Sequence, residues 1–142
     1  MVYHSNETTV TTRATGTFDV QLHGLTMEDI PKEAMLGRMS IDKQFHGDLE
    51  GTSKGQMLTS GTAITGSAVY VAVERVTGKL AGGSGSFALH HTGTMTRGVR
   101  TLTIDVVPDS GTGEFAGMTG VMTIDIADGQ HAYTFEYTVG DR

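Results

Sequence analysis

Cysteine and tryptophan are absent from the 142 residues and proline occurs only twice. Without cysteine there are no disulfides, no thiolate zinc sites and no thiol nucleophile. Lys and Arg number 10 against 16 Asp and Glu, for a net charge of −6, and the basic residues do not cluster. A chain that grips phosphate backbones normally carries a basic patch, so nucleic acid is not an expected partner. No apolar run approaches the ~18 residues of a membrane span, so no membrane association is expected. No basic-then-apolar leader opens the chain, so a cytoplasmic location is the expectation.

What is plentiful is glycine, 20 residues, scattered between short apolar runs. These runs alternate with period two, the mark of half-buried strands. Phe18, Val20 and Leu22 share one side of a strand over Thr17 to His23. Further strands are expected over Arg38–His46, Leu49–Leu58, Ser67–Val76, Ser86–Thr94, Thr101–Val107, Val121–Ala127 and His131–Val139, with a short piece near Lys79–Ala81. Asp128-Gly129 reads as a two-residue hairpin. Only Thr26 to Met35 has a helical look, with a cap at Thr26, and Pro31 limits it to about one turn. About eight strands with almost no helix predict an all-β domain, a single antiparallel closed β-barrel over residues 13–142. Closure removes exposed edges and glycine permits the corners. Residues 1–12, polar and Thr-rich, are expected to form a flexible N-terminal segment.

Two positions break the apolar alternation. Met39, Ile41, Lys43 and Phe45 share one face of a strand, and Phe87, Leu89 and His91 share one face of another. A buried ammonium costs several kcal/mol unless it is paired. In the strand over Ser67–Val76, the valines Val69, Val71 and Val73 oppose Tyr70 and Glu74. Only one of these two faces points inward. If it is the Tyr70 face, Glu74 is the natural partner for Lys43, and burial would shift the protonation of both. Such a cluster is either a structural staple or part of a pocket.

Other motifs dissolve on inspection. Gly111 to Ala116 fits a dinucleotide-binding spacing, but that pattern needs a following helix, and a strand follows instead. His90 and His91 are adjacent and so face opposite sides of a strand. The remaining histidines, His4, His23, His46 and His131, are scattered, so no metal site is expected. No nucleophilic serine elbow is present.

Four blocks carry a resemblance: KQFHGDLEG from Lys43, VERVTG from Val73, GSFALHHTGT from Gly85 and DSGTGEFAGMTG from Asp109. Together they resemble a bacterial domain family of unknown function. The resemblance implies an allene-oxide-cyclase-like β-barrel, the architecture shared with plant dirigent proteins. It supplies no reaction, since fold does not imply function. Lys43, Glu74 and His91 fall inside the matching blocks.

The expected function is a homo-oligomeric barrel, a dimer by preference, that binds, isomerises or cyclises a small, largely apolar metabolite in its lumen. No cofactor is expected. Lys43, Glu74, His91, Tyr137, Phe45 and Tyr70 are the candidate ligand-binding residues. The rival expectation is a structural or interaction module with a packed lumen and a Lys–Glu–His staple.

Overall fold

The computed structural model describes residues 10–140. Nine strands form: β1 (Thr12–Leu25), β2 (Leu36–Gly47), β3 (Leu49–Ser60), β4 (Ala68–Leu80), β5 (Gly83–Thr96), β6 (Val99–Val106), β7 (Thr112–Gly113), β8 (Thr119–Ala127) and β9 (Gln130–Thr138). All pairings are antiparallel, in the order β4-β3-β2-β1-β9-β8-β6-β5. The β4–β5 ladder then joins the two ends into a closed barrel of eight strands. The two-residue β7 sits beside β5 where β6 has ended, pairing Gly85 with Gly113. None of the described residues forms a helix long and apolar enough to cross a membrane.

The expected barrel is present, with longer strands than alternation suggested. The piece near Lys79–Ala81 is the end of β4, not a separate element. Ala81-Gly82 makes a two-residue turn with both φ positive (53° and 84°), directly into β5. Alanine tolerates this region poorly, which hid the turn. Asp128-Gly129 makes the expected hairpin, with φ of 54° and 77° between Ala127 and Gln130. In the segment that looked helical, only Lys32–Ala34 form a 3-10 turn. Pro31 stands at its start, where a missing N–H costs nothing, so Thr26 caps no helix. The first strand, β1, begins at Thr12. Residues 1–9 of the expected flexible segment lie outside the described residues, as does His4.

Burial along the inward faces is graded. On β1 it runs from Ala14 (2% exposed) and Phe18 (2%) to Leu22 (44%), and on β6 from Ile104 (0%) to Leu102 (40%). One end of the barrel is therefore sealed and the other is a mouth. Aromatic side chains close the sealed end. Phe87 stacks on Phe135 at 5.5 Å, Phe135 stacks on Tyr137 at 5.1 Å, and Phe115 meets Phe87 edge-on at 5.9 Å. Phe115 and Met118 come from the Gly-rich connection between β6 and β8, which folds back as a stopper. Its glycines are needed for the closeness of the fold. A Cβ at Gly111 would lie 1.9 Å from the Phe115 carbonyl oxygen. The Tyr133 hydroxyl fastens the same end, accepting from the Leu49 N–H (2.9 Å) and donating to the His46 carbonyl (3.0 Å).

Candidate functional site

Halfway along the lumen the apolar lining is interrupted. The Tyr70, Ala72, Glu74 and Val76 face of β4 points inward, leaving Val69, Val71 and Val73 exposed at 36%, 46% and 59%. That orientation brings Glu74 from β4, Lys43 from β2, Ser53 from β3 and His91 from β5 into one buried group. Lys43 Nζ donates to Glu74 Oε2 at 2.9 Å. His91 Nε2 bonds the same oxygen, and Ser53 Oγ donates to Glu74 Oε1 at 2.6 Å. Gly55, opposite Glu74 on β3, leaves the room, since a Cβ there would stand 2.6 Å from the Glu74 Cβ.

The electrostatics of this group follow from its seclusion. The side chains of Lys43, Glu74 and His91 are 5%, 0% and 4% exposed. Burial alone would raise the Glu74 pKa. The His91 hydrogen bond, the Lys43 and His91 charges and the Ser53 hydroxyl together outweigh it and bring the carboxyl down to about 2. Glu74 is therefore a carboxylate at ordinary pH, an acceptor only. The Lys43 ammonium has further compensation from ring faces, with Nζ 4.7 Å from the Phe18 centroid and 5.7 Å from that of Phe45.

A carboxylate acceptor fixes the imidazole. Nε2 must carry the hydrogen bonded to Glu74, and in the neutral ring Nδ1 is then a lone-pair acceptor pointing away from it. No hydrogen bond among the described residues engages Nδ1 of this buried ring. On the mouth side of His91 stands Tyr70, their ring centroids 6.3 Å apart. Burial, and secondarily the Glu74 charge, raises the Tyr70 pKa, so its phenol stays a donor. The Tyr70 ring packs closely against Gly93, where a Cβ would fall 2.2 Å from Tyr70 Cε1. Glycine at that cross-strand position lets the aromatic ring cover the sheet.

Above Tyr70 the mouth opens into a cavity of about 450 Å³, lined on the lumen side by Met57, Thr59, Tyr70, Met95, Arg100 and Leu102. A larger depression of about 710 Å³ runs over the outer face between Asp42, Lys54, Gln56 and Arg75. Its charges are already engaged, Lys54 with Asp42 at 2.5 Å and Arg75 with Ser86 at 3.1 Å. The mouth cavity is smaller, and it reaches toward the buried polar group through Tyr70, which lines it and whose ring stands beside His91. The depression meets Glu74 only at the outer wall, since that side chain is fully buried.

Of the six expected residues, Lys43, Glu74 and His91 meet, Phe45 flanks Lys43, and Tyr70 stands between them and the mouth. Tyr137 is not brought to this group and belongs to the aromatic stack at the sealed end. Ser53 and the rim residues were not anticipated. Inward alternation on β3 (Leu49, Gly51, Ser53, Gly55, Met57) and on β6 (Arg100, Leu102, Ile104) was the signal for them. No cluster of metal-ligating side chains occurs among the described residues.

Among known proteins, the family described as "Protein of unknown function (DUF3224)" matches residues 14–137. A crystal structure of a protein of unknown function from that family, from Shewanella oneidensis MR-1, is 46% identical. The match covers 93% of this chain and 100% of that one with a TM-score of 0.87. No curated protein matches.

Proposed function

This chain belongs to the DUF3224 family, and we propose that it binds a small, largely apolar metabolite in the barrel mouth, with His91 meeting the ligand's polar atom. The observation that carries this reading is a buried imidazole with one nitrogen held by Glu74 and the other unengaged, one aromatic ring away from an open apolar cavity. Cavities of a few hundred Å³ with a few convergent polar groups are the usual form of a small-molecule site.

The arrangement also suits proton transfer. Nδ1 accepts a proton from the ligand, Glu74 steadies the imidazolium that forms, and the proton returns at another ligand atom. Such an isomerisation is redox-neutral and uses only the protein's own side chains. Lys43 keeps Glu74 ionised, so Glu74 orients His91 and does not compete for the proton. Tyr70 supplies a hydrogen bond to a ligand oxygen. A packed lumen with a purely structural staple accounts for the charges but leaves the cavity and the free nitrogen without a role.

The test is a titration with Nile red, a neutral dye that brightens in apolar sites. Saturable brightening that is lost in Thr59→Trp, which fills the cavity from its rim, is the expected result. Absent brightening, or brightening indifferent to that substitution, refutes the proposal.

A further inference from the structure

The mouth cavity has one charged side chain in its lining, Arg100. Alternation along β6 (Arg100, Leu102, Ile104, Val106) puts this guanidinium on the lumen side, at the level where the lining opens to water. The ion pairs formed among the described residues join Arg13 to Glu136, Lys43 to Glu74, His46 to Asp19, Lys54 to Asp42 and His91 to Glu74. Arg100 takes part in none. No carboxylate lines the cavity to answer it. Below the cation the wall is apolar, with Met57, Met95, Leu102 and the Tyr70 ring. An unanswered cation above an apolar pocket, in a chain whose net charge is −6, gives the mouth a polarity opposite to the protein as a whole.

From this we infer that the ligand is an amphipathic monocarboxylate, its carboxylate held by Arg100 at the rim, its apolar body lying along Met57, Met95 and the Tyr70 ring, and a second polar atom at its inner end left for His91. The inference rests on the lumen-binding reading above and adds the ligand's class and direction of entry. A guanidinium presents two parallel N–H donors that match the two oxygens of a carboxylate. One such fork suits a single carboxylate better than a phosphate dianion, which calls for more donors. The thioethers of Met57 and Met95 adapt to chains of varied shape. At roughly 30 Å³ per atom, the share of a water molecule in the liquid, a cavity of about 450 Å³ takes about fifteen non-hydrogen atoms. That is the size of a medium-chain acid.

The experiment is competition against bound Nile red by decanoate and by decan-1-ol, which differ in the head group alone, at physiological ionic strength. Decanoate is expected to bind about fivefold more tightly, the upper end for a solvent-facing ion pair. Arg100→Gln is expected to abolish that preference, and Arg100→Glu to reverse it. Arg100 is exposed, so both variants should keep the wild-type fold, which a thermal melt checks. Equal affinities, or a carboxylate preference that survives Arg100→Gln, would overturn the inference while lumen binding stands, since decan-1-ol still displaces the dye. Failure of Nile red to bind at all would overturn both.

Discussion

Replacing Glu74 by Gln should be among the most damaging single changes in the barrel, and the structure gives two routes to its size. The substitution preserves shape but leaves the Lys43 ammonium, 5% exposed, without its counter-charge. Breaking a buried pair by removing one partner costs about 3–5 kcal/mol. The second route is proton linkage. The Glu74 carboxyl lies at about 2 in the folded state against an ordinary 4.5, a difference worth about 3 kcal/mol. Because the folded value lies below the unfolded one, this stabilisation is complete above about pH 4.5 and is lost as pH falls toward about 2. For a chain of this length about 3 °C accompanies each kcal/mol, so Glu74→Gln should lower the melting temperature by ~10–15 °C at pH 7. Urea titrations at intervals between pH 7 and pH 2 measure both effects together. The wild type should lose stability over that acid window, and the variant, already depleted, should show a visibly flatter dependence. A variant within about 1 kcal/mol of wild type at pH 7, or one with the wild-type acid slope, would refute the buried-pair argument.

Further outcomes follow from neighbouring contacts. Adding Lys43→Met to Glu74→Gln removes the stranded ammonium, and the double variant should regain about 2 kcal/mol or more in urea unfolding; an additive loss would contradict the pairing. Tyr133→Phe strands the Leu49 N–H and should cost about 1–3 kcal/mol by the same assay, with no change denying the hydroxyl its fastening role. Gly93→Ala drives a Cβ into the Tyr70 ring and should cost about 1–3 kcal/mol. That loss should shrink in a Tyr70→Ala background, and a double-mutant cycle without coupling would exclude the ring-on-glycine contact.

Much of this fold could be read from alternation and glycine alone. The strands around Phe18, Ile41, Phe87, Ile104 and Tyr133 all show inward apolar residues at every second position, and the barrel closes through them. Lys43 and His91 were conspicuous because they replaced apolar residues in that pattern. Glu74 was harder, because both faces of its strand are plausible cores by composition. Val69, Val71 and Val73 look more interior than Tyr70 and Glu74, yet they face outward. Long-range pairing decided the matter: β3 and β5 place Ser53 and His91 on the Glu74 side. The plug residues Phe115 and Met118 were hidden because they sit in an irregular Gly-rich segment where no period exists. Arg100 was missed for a different reason, since a charged residue beside a turn reads as solvated surface until closure shows which side it lines. Family membership was legible in four blocks, while the allene-oxide-cyclase-like label rests on that resemblance alone.

The most direct test is nitrogen-15 NMR of the His91 ring during a titration with 10-hydroxydecanoate, whose carboxylate is directed to Arg100 and whose terminal hydroxyl reaches the inner end of the cavity. The expected spectrum has Nε2 protonated and bonded to Glu74 throughout, and an Nδ1 resonance that moves saturably as the ligand hydroxyl donates to it. An Nδ1 resonance unmoved while the ligand displaces Nile red would place the ligand away from His91 and contradict the proposed site.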